Sequence, residues 1–254
     1  MTLPLVEDSL MVLKVLAFNA SPHMEKSNTT LILNPFLDGL EEEGASIEIF
    51  YISQFKINPC LGDLNCWTRT PAKCIQIDDM EMLLPKIQQA DILVFAFPLY
   101  VDGMPGPMKT LVDRLIALLD PYVVLRDGHC RHPAREKTTR TKLVLISNCG
   151  FWELDNFDPL IVQVKAICKN ASWEYVGALL RPHGPALGYM LRKGYPVQDV
   201  VDAAKTAGKE LAKNGQISEE TVKIVSRELV PLNDYIQILN QGFEKARERA
   251  ELQK

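Results

Sequence analysis

Short apolar runs separated by stretches of helical period dominate this chain, and that alternation leaves few folds open to it. The first run holds Val12, Val15, Leu16, Ala17 and Phe18; the others are Ser46 to Ile52, Asp91 to Phe97 (DILVFAF), Lys142 to Ser147 and Trp173 to Leu180. Between them lie helical stretches: one opening at Leu31 and Ile32 and running to about Glu43 with Gly44 as its C-cap, one capped by Asp78 and Asp79 and running to Gln89, then Lys109 to Leu119 and Pro159 to Asn170. Met80, Leu83, Leu84 and Ile87, and again Leu111, Leu115 and Leu118, fall on single helix faces. Pro35 sits inside the first helix and is expected to kink it. Strand and helix in strict turn predict a parallel doubly wound α/β sheet with right-handed crossovers; its first strand is near-continuously apolar because helices cover both faces, while Ser46 to Ile52 alternates polar and apolar. From about Ala186 the pattern changes to helices alone, over Val197 to Ala212, Ser218 to Leu229 and Pro231 to Glu251. The division expected is therefore an α/β domain over 1–185 and a helical extension over 186–254. The last helix carries Tyr235, Ile238, Leu239 and Phe243 as a stripe for the core or for a partner subunit.

The 254 residues are enough for a substantial core, and a formal charge of -4 exerts no pull toward nucleic acid or an anionic membrane. No apolar run approaches the roughly 20 residues that span a bilayer, and the start MTLPLVEDSLM lacks a basic leader region, so a cytoplasmic protein is expected. Six cysteines in a chain of this length do not make a secreted disulfide framework. Cys60, Cys66 and Cys74 nevertheless cluster in a long aperiodic stretch, Phe55 to Ile77.

Ligands of such sheets lie beyond the carboxyl ends of the strands, so the exits of the first, third and fourth strands should share one crevice. The first exit, Ala20 to Asn28, ends at good N-cap residues, Ser27 and Asn28. Free N–H groups at a helix start hold phosphate well, and Ser21, Ser27, Asn28, Thr29 and Thr30 add donors; the same residues also suit an ordinary capped connector. It is neither a Walker loop nor a G-x-G-x-x-G turn. The second exit, Pro98 to Lys109 with Leu99, Tyr100 and Met104, gathers apolar and aromatic side chains in a loop, as a flat aromatic ligand requires, although a proline-stiffened connector has the same composition. The third, Asn148-Cys149-Gly150-Phe151-Trp152, repeats that recipe. Two such loops beside one phosphate site describe a pocket for flavin mononucleotide.

SPHMEKSNT, then Asp78-Asp79-Met80, then ADILVFAFPLYVDGMPGPMKTLVDR with its Lys109, Asp113 and Arg114, resembles the flavodoxin-like NADPH-dependent FMN reductase family, which includes the iron–sulfur flavoproteins. The resemblance covers roughly Val12 to Arg181. It implies a five-stranded sheet of order 2-1-3-4-5 and FMN bound non-covalently over the 1–185 domain. Ser21, Ser27, Asn28 and Thr29 would meet the phosphate, with His23 in a position where arginine or lysine is common and Lys26 as its compensation. Pro98, Leu99, Tyr100 and Met104 would meet one side of the ring, and Cys149, Gly150 and Phe151 the other. It further implies NAD(P)H as donor, a flavin, quinone, nitro or protein acceptor, and a homodimer or homotetramer. No general acid or base is needed when rings are positioned for hydride transfer, so no catalytic side chain is named and Asp102 is at most a polar neighbour.

The cysteine loop departs from the pattern Cys-x-x-Cys-x-x-Cys plus a later cysteine, because Asp63 takes the second position. A 4Fe–4S cluster takes four thiolates and no histidine lies near to complete a zinc site, so no metal is assigned; the loop is read as a lid or interface element, with Trp67 over the flavin. His129, Cys130 and His132 are read as solvated, as are Arg126, Arg131, Arg135 and Arg140, with a nucleotide phosphate as the other role for the arginines. Two other functions compete. A flavodoxin-like electron carrier with little NAD(P)H activity shares the same loops, and a receiver domain is disfavoured because Pro98 stands where its phosphorylated aspartate would be.

Overall fold

The computed structural model describes residues 12–135 and 141–252. Arg140 and the first eleven residues fall outside them. Seven strands and nine helices follow in chain order: β1 (Lys14–Asn19), α1 (Thr30–Glu42), β2 (Ser46–Tyr51), α2 (Asn65–Thr68), α3 (Met80–Gln89), β3 (Ile92–Pro98), α4 (Gly106–Arg114), β4 (Val124–Arg126), β5 (His129–Arg131), β6 (Lys142–Asn148), α5 (Asp158–Ala171), β7 (Glu174–Arg181), α6 (Gly184–Lys193), α7 (Gln198–Asn214), α8 (Glu219–Ser226) and α9 (Leu232–Glu251), counted among the described residues.

Period-two alternation along β1 decides which side of the sheet each residue serves. Leu16 and Phe18 join Phe95, Leu143 and Leu145 under α3, α4 and α5, while Val15 and Ala17 join Val94 and Val144 under α1 and α7. Both faces are thus covered, and the sheet is parallel throughout in the order β2-β1-β3-β6-β7. With the β4–β5 hairpin set aside, that is 2-1-3-4-5 in chain order. β1 and β3 lie side by side although α1, β2 and α3 separate them in sequence, which makes the gap between their exits the switch point.

Several elements differ from expectation for physical reasons. α1 starts at Thr30, because Ser27 Oγ accepts the Thr30 N–H at 3.3 Å and Thr29 caps with no side-chain bond. It continues through Pro35 to Glu42. The polar stretch after Arg126 contains an antiparallel hairpin whose turn, Asp127-Gly128, has positive φ at both residues; two three-residue strands are too short to show a period. α6 was also unforeseen, since its Gly184-Pro185 start reads as a turn. Among the described residues of α9 only Tyr235 is buried; Leu239 is half-buried, and Ile236, Ile238 and Phe243 are exposed, so only the first part of the expected stripe meets the body. No helix among the described residues is long and apolar enough to cross a membrane.

Candidate functional site

The exits of β1, β3 and β6 meet at the carboxyl edge of the sheet and are tied to one another. The Ala20 N–H donates to Ala96 O at 2.9 Å and the Leu99 N–H to Asn148 O at 2.8 Å, while Thr29 Oγ1 donates to Asn148 Oδ1 at 2.7 Å. Asn148, buried at the end of β6, is therefore the joint between all three. α6 lies against the same joint. A Cβ on Gly184 would stand 3.1 Å from the Asn148 side chain, and one on Gly188 2.9 Å from Asn28 Oδ1.

The β1 exit is a set of donors around a helix start. Ser21, Ser27 and Thr29 are buried, whereas His23 and Lys26 are exposed. Asn19, at the end of β1, is fully buried; its Oδ1 accepts the Ser21 N–H at 2.9 Å and its Nδ2 has no partner. Among the described residues no acceptor meets the N–H of Asn28 or Thr29. A buried donor without an acceptor costs about 1–3 kcal/mol, which an anion at this helix start would relieve. The residues present therefore fit a phosphate group.

The β3 exit is a two-residue turn. Tyr100 and Gly103 exchange N–H···O bonds of 3.0 and 3.1 Å, and between them Val101 and Asp102 hold φ of 46° and 58°. That is the region glycine and asparagine favour, and a β-branched residue there is strained. The turn leaves Tyr100 half-exposed, while Met104 lies buried in the α3–α5 side of the core and Leu99 packs against it. Met104 thus forms part of the floor and not a mobile cover.

The β6 exit behaves alike. Phe151 is 67% exposed, but Cys149 is buried and its Sγ–H donates to Phe151 O at 3.3 Å, and burial pushes its thiol pKa up. The exposed aromatic rings of these two loops are Tyr100 and Phe151. Tyr100 and Phe151 suit a planar ring better than the side chains of Met104 or Cys149 do.

The cysteine loop stands elsewhere. Trp67 donates its indole N–H to Ile116 O at 3.0 Å and packs on the His132 ring, 4.6 Å between centroids, so it braces the α4 side and does not cover the crevice. Cys60, Asp63, Cys66 and Cys74 line one cavity of about 40 Å3 beside Arg114. Arg114 is buried and paired with buried Asp78 at 2.6 Å. Burial, with Cys74 and Cys60 nearby, pushes the Cys66 thiol above its ordinary value. Among the described residues no three His, Cys, Asp or Glu side chains are grouped to hold a metal. Arg126 is spent on the last carbonyls of α5, and Arg135 on Asp120, Ala117 O and Cys66 O, which leaves neither for a nucleotide phosphate.

Sequence reasoning missed Asn19 and Asn148, although an asparagine closing each of two apolar runs was a visible signal. It also missed the support behind the β6 exit. Arg181, fully buried and with no carboxylate paired to it among the described residues, donates to Val225 O and Arg227 O at 2.6 Å each and so caps α8; burial and then Arg227 pull its pKa down to about 10. Beside it His183 accepts the Leu229 N–H at Nε2, 3.0 Å.

The NADPH-dependent FMN reductase family matches residues 13–152, which include β1, β3, β6 and all three exits. The chain belongs to that family. Among relatives of this FMN reductase-family chain, an iron–sulfur flavoprotein of Methanocaldococcus jannaschii is 34% identical over 102 residues, 40% of this chain and 51% of that protein. An iron–sulfur flavoprotein of Methanosarcina thermophila is 26% identical over 137 residues, 51% of this chain and 70% of its own length. The chain spans about half the length of the first of these curated relatives. Among solved structures, an FMN-dependent NADH-azoreductase from Bacillus anthracis in complex with FMN superposes with a TM-score of 0.56 at 16% identity, covering 79% of this chain and 100% of that one. A second Bacillus anthracis azoreductase gives 0.56 at 13% identity, over 80% and 100%. At such identity the match speaks for the fold, a flavodoxin-like α/β sheet.

Proposed function

We propose that this chain binds FMN at the three exits and works as an NAD(P)H-dependent reductase. The observation that carries the reading is the unpartnered, fully buried Asn19 Nδ2 beside the free N–H groups of Asn28 and Thr29, set below two loops that present Tyr100 and Phe151. Asn19, Ser21, Ser27, Asn28 and Thr29 hold the phosphate, with His23 and Lys26 at its solvent side. Pro98, Leu99 and Tyr100, over Met104, flank one side of the ring, and Gly150 and Phe151, over Cys149, the other. When bound, the flavin supplies two-electron chemistry between a reduced nicotinamide and a flavin, quinone, nitro or protein acceptor. The protein's own share is position: the Thr29–Asn148–Leu99 ties fix the three loops relative to one another, and the exposed aromatic rings shield a flat ligand from water. The azoreductase and iron–sulfur flavoprotein names of its neighbours agree with redox work on small acceptors or on proteins. The exposed Ile236, Ile238 and Phe243 support assembly as a homodimer or homotetramer.

The test is the visible spectrum of protein mixed with equimolar FMN and freed of unbound ligand, followed by NADPH without oxygen. A retained flavin band that bleaches is expected. Retention without bleaching replaces the reductase with an electron carrier, and a colourless protein ends the reading of all three loops.

A further inference from the structure

The loop after β6 is held from the far end of the chain, and the manner of holding decides which of its backbone groups stay free. The Cys149 carbonyl accepts the Gly184 N–H at 2.9 Å, the Gly150 carbonyl accepts the Tyr235 hydroxyl at 2.6 Å, and the Phe151 carbonyl accepts the His183 N–H at 2.6 Å. Trp152 adds a fourth tie by donating its indole N–H to Val230 O at 2.8 Å. Three successive carbonyls are thus committed to α6, α9 and the turn before α6. Of the loop's amides, that of Cys149 donates to Arg181 O at 3.2 Å and that of Phe151 interacts with the Cys149 sulfur, whereas among the described residues no acceptor meets the N–H of Gly150 or Trp152. Around Gly150 the carbonyls are taken and the N–H is free, so the polarity left there is that of a donor, which favours negative charge.

We propose that Tyr235 is a positioning residue for the cofactor loop: by holding the Gly150 carbonyl it keeps the loop's free N–H groups as the donor side of the ring pocket, so that the C-terminal helix sets the electron affinity of the bound flavin. The inference rests on the proposed FMN function. Added electrons put negative charge on the ring system, so a wall with a free donor at Gly150 binds the reduced form more tightly than the oxidised form. Tyr235 is suited to the role because its ring is locked. It is 4% exposed and lies 5.6 Å from His183, whose ring stacks on Trp152 at 6.1 Å. The strap that leads into α9 is fastened independently by Arg181 to the carbonyls of Val225 and Arg227 and by His183 to the Leu229 N–H. Burial, and then Cys149, push the Tyr235 hydroxyl up to about 12, so it remains a donor throughout the working pH range. The contact joins residues 85 positions apart.

The test compares the full-length protein with Tyr235→Phe, which keeps the ring and removes one hydroxyl. The dissociation constants of oxidised and fully reduced FMN, the midpoint potential and the thermal midpoint are measured together. The variant is expected to lose about tenfold more affinity for reduced than for oxidised FMN, a fall of about 30 mV for a two-electron couple. Gln237→Ala, on the same helix and exposed, is expected to change neither. If Tyr235→Phe does not fold, Trp152→Phe carries the same test, because it releases the same loop from the same strap and predicts the same sign. A variant with a lower melting temperature but an unchanged potential and affinity ratio has a purely structural tyrosine, and the proposal is overturned. Wild-type protein that binds no FMN overturns the functional reading itself, a result distinct from unchanged ratios in flavin-loaded variants.

Discussion

His183 is fully buried, and its imidazole is held neutral. Burial, and then the Arg181 guanidinium beside it, pull its pKa from 6.5 down to about 4. An unfolded histidine takes up its proton near 6.5, so between those two values the unfolded chain binds the extra proton and the folded one does not. The stability that depends on neutral His183 is complete above about pH 6.5 and is lost as pH falls toward 4, a loss on the order of 3 kcal/mol at 1.36 kcal/mol per pH unit. His183→Phe removes that titration. Urea denaturation at pH 7.5 and 4.5 should show the wild type losing about 3 kcal/mol more than the variant, and parallel losses would sink the assignment. Val101 makes the opposite kind of prediction. Its φ of 46° is strained, yet its side chain is 99% exposed and packs on nothing. Left-handed backbone costs a residue with Cβ roughly 1–2 kcal/mol, and asparagine tolerates it best after glycine. Val101→Asn is expected to raise stability by about 0.5–1 kcal/mol in urea melts, and a destabilised variant would show that the turn is not strained.

At the scale of elements, α1 and α7 cross with backbone against backbone. A Cβ on Gly39 would stand 2.0 Å from Lys205 O, and one on Gly208 2.0 Å from Phe36 O. Neither neighbour is a side-chain tip that can swing away. Two effects oppose each other in Gly208→Ala, since helix propensity favours alanine by up to about 1 kcal/mol while overpacking costs about 1–3 kcal/mol or more. The contact with main chain decides it. We expect a net loss of at least about 1 kcal/mol by guanidinium denaturation, and a neutral or stabilised variant would mean that the helices separate freely. This crossing also shows what sequence reveals of a fold. Continuous apolar runs exposed β1, β3 and β6, which are buried on both faces, and the 3.6 period exposed the helices between them, which bury one stripe. α7 was legible by the same rule, through Val200, Ala203, Ala204, Ala207 and Leu211. The β4–β5 hairpin and α6 bury too little at regular spacing to leave a pattern, and the pairing of Gly39 with Gly208 is a tertiary fact that no local window contains.

The whole molecule is arranged so that distant segments converge on one edge of the sheet, and this limits what its sequence discloses about the site. A parallel sheet places its exits together by rule, so Ser21 to Thr29, Leu99 to Met104 and Cys149 to Phe151 were all legible. Asn148 as their joint, Asn19 as the buried donor and Tyr235 behind Gly150 were not, because each gains its role from a partner brought near only by folding. The same convergence yields a test at the molecular scale. A ligand that binds only the folded chain stabilises it by RT ln(1 + [L]/Kd), about 2.7 kcal/mol at a hundredfold excess over Kd. In a domain of this size each kcal/mol moves the melting temperature by roughly 2–4 °C, so saturating FMN should raise it by about 5–10 °C. Riboflavin separates the two halves of the pocket. It has the ring for Tyr100 and Phe151 but no phosphate for Asn19, Asn28 and Thr29, and charged hydrogen bonds contribute about 1.5–3 kcal/mol each. With several of them missing, riboflavin at the FMN concentration should move the midpoint by no more than a degree or two. An equal shift by both ligands would leave the ring loops standing and remove the phosphate cradle from the site.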